Sequence, residues 1–276
     1  MSILKKVLLS TLLGLAALFV AFDLWGFLTL GKLVPGDNPV RDDQANRVVM
    51  VFGATGSVGD GLLKAAIEDP GVEKVHVVTR RTSPRIDAGV AAGRVEMHLQ
   101  SDFTDYSAFA DILGEVNTVL WGLGTSSLNV DDATYTIIHV DFPVAFVEAW
   151  LAQRRDAPMS FHYVTGMGTD PEGDQHWARE KGRAEREMAA MATGSGLRTF
   201  SYRSAFIRPT EEQSNALHYI LEWLLKPGYL VIPGIDLGRS MLEISARVEE
   251  LPNGTLIDNA DSIAYAEAYR EAQANP

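Results

Sequence analysis

The run Val48-Val49-Met50-Val51-Phe52, followed at once by Gly53-Ala54-Thr55-Gly56-Ser57-Val58-Gly59, constrains this chain more than any other feature. An almost unbroken apolar, β-branched strand is what a central strand covered on both faces looks like. A glycine turn that ends such a strand and opens a helix has a definite physical use. The first glycine permits the tight turn, the second lets the backbone approach a pyrophosphate, and the third allows close helix-to-strand packing. The helix N-terminus adds free N–H groups and partial positive charge. An ordinary strand-to-helix turn is the alternative, but here strand, spacing and helix coincide. Gly53, Thr55, Gly56, Ser57, Val58 and Gly59 are therefore expected to cradle a diphosphate.

The rhythm continues along the chain. Strands are expected at Val48–Phe52, Lys74–Thr79, 95–100, Thr118–Trp121, 160–165 and 199–203, with helical patterns at 59–68, 106–113, 137–153 and 177–193. Strands alternating with helices imply crossovers, so the fold class is α/β: a Rossmann-type, doubly wound parallel sheet. Beyond Arg208-Pro209 the pattern changes to a helix at 215–225, a strand at 229–232, a helix near 238–247, a short strand at 255–257 and a last helix from Asp261. This C-terminal excursion, about 209–276, is expected to wall the substrate side, because ligands of such folds lie beyond the carboxyl ends of the strands. The expected domains are 1–33 as a membrane anchor, 34–46 as an exposed linker and 47–276 as the nucleotide-binding domain.

Residues 7–22 carry no charge after Lys5 and Lys6, and a second apolar piece at 24–30 follows Asp23. Together they reach the roughly 20 apolar residues that a bilayer span needs. A retained anchor is favoured over a cleaved secretory signal because no convincing small-residue cleavage site follows Phe22. The basic residues on the two flanks nearly balance, so the cofactor argument places the main domain in the cytosol. The formal charge of −12 makes nucleic acid an improbable partner, since phosphate contacts need a basic face. With no cysteine, the chain has no disulfide, thiolate metal site or thiol nucleophile. Its histidines show no metal-ligand spacing in sequence, and no metal is expected.

At the end of the second strand, Arg80 and Arg81 stand where a site that prefers NAD usually carries an acid for the ribose 2′-hydroxyl. Guanidinium groups suit a 2′-phosphate, which points to NADP(H) ahead of NAD(H). Asp102-Phe103 ends the third strand. There the carboxylate can accept from an adenine amino group with the aromatic ring nearby, or Asp102 can cap a helix ahead of Tyr106.

These features resemble the atypical short-chain dehydrogenase/reductases, in particular the NAD(P)H-binding branch related to NmrA-like and Tat-interacting-protein-like oxidoreductases. The resemblance runs from Val48 to about Pro209. It rests on the glycine turn, on Asp102-Phe103, on Leu120-Trp121-Gly122-Leu123-Gly124-Thr125, on Tyr163-Val164-Thr165-Gly166 and on Trp177-Ala178-Arg179-Glu180-Lys181-Gly182. It implies that Leu123, Gly124 and Thr125 line the cofactor. It further implies that Thr165 steadies a substrate oxygen and that Lys181 holds the nicotinamide ribose.

The family's proton-transferring tyrosine is replaced by Trp177. An indole N–H donates a hydrogen bond but cannot exchange its proton usefully near neutral pH. Tyr163, which the two-residue strand period places with Thr165, and His176 are the nearest groups that could substitute. Two functions follow as expectations. One is a membrane-anchored, NADP(H)-dependent oxidoreductase or epimerase-like enzyme acting on a small molecule through Thr165, Lys181 and Tyr163. The other is a non-catalytic NADP(H) sensor or scaffold.

Overall fold

The computed structural model describes residues 3–274; Met1 and Ser2 of the expected anchor and Asn275 and Pro276 of the expected main domain lie outside the described residues. The chain begins with helix α1 (Ile3–Thr29). It then alternates β1 (Val48–Phe52), α2 (Ser57–Glu68), β2 (Lys74–Thr79), α3 (Pro84–Ala91), β3 (Val95–Leu99), α4 (Ala110–Leu113) and β4 (Thr118–Trp121). There follow α5 (Asp132–Thr136), a π-helical turn Ile137–Asp141, α6 (Phe142–Gln153), β5 (Met159–Val164), α7 (His176–Ala192) and β6 (Leu197–Arg203). The excursion supplies β7 (Phe206–Arg208), α8 (Ala216–Leu225), β8 (Val231–Pro233), α9 (Gly234–Ala246), β9 (Thr255–Asp258) and α10 (Asn259–Ala274).

The main sheet has the order β3-β2-β1-β4-β5-β6-β9, with every neighbouring pair parallel. This is the doubly wound Rossmann order, extended by one strand. Alternate residues of β1 divide between two cores. Val49 and Val51 join Leu62, Leu237 and Met241 on the α2/α9 side, while Met50 and Phe52 join Trp121, Phe146 and Phe161 on the α6/α7 side. All four β1 residues are fully buried, as expected of a strand covered on both faces.

Local differences from the sequence expectation have physical causes. Helix α3 escapes the apolar-period reading, yet Ser83 caps it by accepting from the Ile86 N–H at 3.5 Å and Pro84 opens its first turn. The helix expected at 106–113 is split into a 3-10 turn, Ser107–Phe109, and the short α4. Tyr106 and Phe109, three apart, are both buried with ring centroids 6.0 Å apart, which the threefold period of a 3-10 turn favours. The segment expected to be an exposed linker, 34–46, is partly docked. Arg41 makes a two-bonded ion pair at 2.6 and 3.1 Å with Glu243, Asn46 donates to the Leu242 carbonyl, and Ala45 is buried. A buried Glu243 needs these partners, so the segment is held against α9.

Among the described residues, the helical stretch long and apolar enough to cross a membrane is Asp132–Gln153. It includes the buried Val140, Phe146, Val147 and Trp150 of the second core and is a core element of the domain.

Candidate functional site

The glycine turn is tight. Gly53 has φ +75°, and a Cβ there would lie 2.5 Å from the Gly122 backbone at the end of β4. A Cβ on Gly59 would lie 2.1 Å from the Gly53 carbonyl oxygen, so any side chain would force α2 off the sheet. Helix α2 starts at Gly56 without a side-chain cap. Its first N–H groups are left for a ligand, the arrangement that suits an anion.

The turn opens into a cavity of about 410 Å³ at the carboxyl ends of the strands. Gly56, Ser57 and Val58 line it together with Leu123, Gly124, Thr125, Thr165 and Lys181. Residues far apart in sequence are thus brought to one cleft. The far wall adds Ser204, Ala205 and Ile207, which sequence reasoning missed. The Ser204 hydroxyl is buried without a hydrogen-bond partner among the described residues. Its position after β6, beyond the recognised motif, offered no signal.

His139 was also missed. It sits on the π-helical turn, fully within the cavity wall, with Nε2 2.9 Å from the Thr125 carbonyl oxygen and 3.1 Å from the Thr125 N. Either tautomer fixes the β4 loop through one of those groups. Burial, reinforced by the nearby Lys181 cation, pushes the His139 pKa down to about 4, so the ring is neutral near pH 7. The Lys181 ammonium donates to the Thr165 carbonyl oxygen. Burial pushes its pKa down to about 8, partly offset by the Glu185 carboxylate one helical turn away.

Other expected site residues fall elsewhere. Tyr163 is a correction: it is buried in the second core, its hydroxyl donates to the His139 carbonyl at 2.6 Å, and desolvation holds its pKa well above the usual value. It cannot reach a substrate. The Thr165 hydroxyl lines the cleft but donates to the Tyr202 carbonyl at 3.2 Å. Phe103 is a second correction, since its side chain is core, 5.4 Å from the Phe142 ring, and cannot pack on an adenine. Asp102 is exposed and accepts from the Thr104 N–H and hydroxyl, first among the causes that hold its carboxyl below the ordinary range. It closes a turn and caps no helix; the 3-10 turn after Tyr106 has no side-chain cap, and Asp105 closes a further turn by accepting from the Ser107 N–H.

Arg80 and Arg81 project from the end of β2 into solvent, and neither guanidinium has a protein partner among the described residues. Trp177 is half-buried over Gly168, outside the cavity lining. His176 is tied to α5 through the Thr136 hydroxyl at 3.2 Å and the Asp132 carbonyl at 3.1 Å. Strand pairing also brings together His76, Glu96 and His98, which sequence spacing does not. There the two rings hydrogen-bond to each other at 2.9 Å, and the Lys74 ammonium occupies Glu96 at 2.6 Å.

No family model matches the sequence. A curated relative, leucinostatins biosynthesis cluster protein T of Purpureocillium lilacinum, is 25% identical over 141 residues. That match covers 50% of this chain and 50% of the relative, so the chain spans about half the length of the curated relative it matches. Solved structures align over much more. A 3-oxoacyl-[acyl-carrier protein] reductase from Brucella melitensis superposes with TM-score 0.61 over 79% of this chain and 97% of that one, at 13% identity. The Pseudomonas aeruginosa RhlG/NADP complex gives TM-score 0.60 over 79% and 96%, at 11% identity. An oxidoreductase of the short-chain dehydrogenase/reductase family from Burkholderia thailandensis gives 0.57 over 83% and 98%, at 16% identity. The chain has their fold. At such identities the likeness is one of architecture, and the chemistry must be argued from the cleft.

Proposed function

We propose that this chain is an NADP(H)-dependent oxidoreductase or epimerase-like enzyme, held at a membrane by α1 with its main domain in the cytosol, and acting on a small molecule. The observation that carries the reading is that the uncapped glycine turn, Thr165 and Lys181 share one cleft of about 410 Å³. The residues fit a dinucleotide, because Gly53 and Gly59, where a Cβ would strike the backbone, hold the turn tight against the sheet, and Gly56 brings bare main chain to the cavity wall where a pyrophosphate would lie. Leu123, Gly124 and Thr125, on the loop fixed by His139, would line its course. Arg80 and Arg81, unpaired at the end of β2, favour the phosphorylated cofactor. Bound there, the nicotinamide would supply hydride transfer.

The chain's own contribution then falls on Lys181. With Tyr163 sealed in the core and His139 neutral, the Lys181 ammonium is the acid in the cleft whose pKa, about 8, lies near the working pH. It holds the Thr165 carbonyl and can donate a proton to a developing alkoxide during carbonyl reduction. The Ser204 hydroxyl on the opposite wall, without a partner among the described residues, can donate a hydrogen bond to the same oxygen. Incubating the full chain with NADPH and a panel of carbonyl compounds is expected to show consumption above buffer. Absence of turnover across the panel would remove the enzymatic reading.

A second reading, an NADP(H) sensor or scaffold, is favoured by one observation: the position of the usual tyrosine carries Trp177, packed on Gly168 away from the cavity. It expects tight NADPH binding with no turnover.

The anchor is supported by the way α1 leaves the domain. Every described side chain from Lys5 to Leu18 is exposed, and only Phe19, Phe22, Gly26 and Leu30 are drawn toward the body. A soluble protein would seldom leave so apolar a helix in water.

A further inference from the structure

Helix α8 turns a broad apolar side away from the protein. At 100° per residue its polar side chains, His218 and Glu222, fall on one face and Leu217, Ile220, Trp223 and Leu224 on the other. The side turned to the protein carries this polar pair together with Leu221 and Leu225, and these four are the half-buried residues of the helix. Glu222 forms an ion pair with Arg208 at 2.8 Å, and the Arg208 guanidinium lies 5.2 Å over the Tyr219 ring. His218 closes the first turn by accepting from the Asn215 N–H at 3.2 Å. The apolar face is turned outward, with Leu217, Ile220 and Trp223 each more than half exposed, and no residue of the helix is fully buried. A surface helix of a soluble domain has the reverse arrangement.

What covers this face is indicated by its neighbour. Phe19 of α1 stacks at a tilt on Trp223 with centroids 5.1 Å apart, and Gly26 sits directly on the Gly228 backbone just after α8. The outward face of α8 is therefore continuous with the exposed apolar surface of α1. The uncharged run 7–22 spans about 24 Å, short of a hydrocarbon core of about 30 Å, and Asp23 is the first charge after it, so the membrane boundary would fall at or just beyond Asp23. Phe19 lies one turn inside that boundary and carries Trp223 with it. Tyr219, Trp223 and Trp25 then stand where interfacial aromatics sit, with Lys226 exposed at the end of the helix. Where α1, α8 and α10 meet runs a largely apolar groove of about 690 Å³, lined by Phe19, Val20, Trp223 and Ile263, with Asp23, Lys226 and Glu267 as its charged members. That is the shape and polarity of a place for a lipid chain beneath its headgroup.

We infer that α8 is an interfacial helix whose Leu217, Ile220, Trp223 and Leu224 lie in the acyl–headgroup boundary of the bilayer entered by α1. The inference rests on the reading of α1 as an anchor. It adds a second attachment that fixes how the domain faces the lipid, because α8 is joined through the short segment 209–215 to β7, whose Ile207 lines the cleft. An amphipathic helix lying in the interface does this through its buried apolar area.

The chain has no cysteine, so single nitroxide labels can be placed without background. Leu18→Cys, Ile220→Cys and the loop control Leu128→Cys, all at exposed positions, would be labelled in the full chain reconstituted in phosphatidylcholine/phosphatidylglycerol vesicles. Relaxation by oxygen and by a water-soluble nickel chelate would then be compared. Labels at Leu18 and Ile220 relaxed mainly by oxygen, with the Leu128 label relaxed mainly by nickel, are the expected result. If the Ile220 label is relaxed by nickel while the Leu18 label is not, α8 lies in water and the inference fails, although the anchor stands. Nickel access at both positions would sink the anchor as well. Dipolar broadening at Ile220 with exclusion of both reagents would assign the face to a second copy of the chain and overturn the lipid reading.

Discussion

The two halves of the cleft are built on different principles. On the cofactor side, contacts are made by main chain: Gly53 against Gly122, Gly59 against the Gly53 carbonyl, and the bare first turn of α2. On the reaction side, everything depends on where a few side chains point. Tyr163 points into the core, the Thr165 hydroxyl is engaged by the Tyr202 carbonyl, and Lys181 is held by the Thr165 carbonyl. Backbone-built sites tolerate drift in side-chain identity as long as glycine stays. Side-chain-built sites change their chemistry with one substitution at a group that reaches the cleft.

The largest effect is expected where the main chain has no slack. Gly59→Ala puts a Cβ 2.1 Å from the Gly53 oxygen, so either α2 moves or the turn opens. Overpacking of this kind costs ~1–3 kcal/mol, and a domain of this size loses ~2–4 °C of melting temperature per kcal/mol. NADPH binding, read by fluorescence titration, should disappear along with that thermal shift. Unchanged binding would break the claim that the cofactor half is backbone-built.

Lys181→Met tests the other half. Loss of a positioned proton donor costs ~10²–10⁴-fold in kcat, whereas NADPH affinity should change far less. A parallel collapse of affinity would move Lys181 into the cofactor half. The pH profile sharpens the same point. Burial lowers the Lys181 pKa to about 8, so the ammonium form is present below that pH and is lost as pH rises through it. Reduction should therefore be flat on the acid side and decline above about 8, and Lys181→Met should abolish that limb.

Next in size is cofactor choice. Arg80 and Arg81 have no protein partner to lose, so replacing both by Ala should leave melting unchanged. Removing charge-assisted bonds worth ~1.5–3 kcal/mol each should erase the preference for NADPH over NADH. An unmodified chain that binds both equally would show that these arginines only meet solvent.

The same division decides what could be read from the sequence. The parallel sheet is legible in apolar runs such as Val48–Phe52, which only a strand covered on both faces can bury, whereas strand order and register come from tertiary packing. The glycine turn is legible because only glycine satisfies its contacts. Tyr163 was misplaced because period 2 fixes the face of a strand residue but not whether that face is cleft or core at that depth; the His139 carbonyl, 24 residues away in sequence, seals it. Phe103 failed likewise, since an aromatic after a strand packs wherever Phe52 and Phe142 leave room. His139 and Ser204 were invisible because a π-helical turn and a strand end bring them to the cleft through tertiary packing alone. The inward polar pair of α8 was equally hidden: the helix's apolar period reads as an ordinary buried helix until the Arg208–Glu222 pair shows which side is in.

The smallest effect is expected at the position that departs most visibly from the family pattern. Trp177 lies over Gly168 and is not part of the cavity wall, so Trp177→Tyr exchanges one ring for another outside the cleft. If Lys181 is the proton donor, steady-state kcat should stay within a few-fold of the parent, since the group that moves the proton is unchanged. A gain of ~10²-fold or more, the scale of a restored general acid, would mean that the new phenol reaches the reacting oxygen. The reaction half would then be a disabled version of the tyrosine-dependent site, Lys181 would return to holding the ribose, and the sensor reading would displace the enzymatic one. Equal kinetics in the two forms, together with a basic limb near pH 8 that vanishes in Lys181→Met, would leave the proton with the lysine.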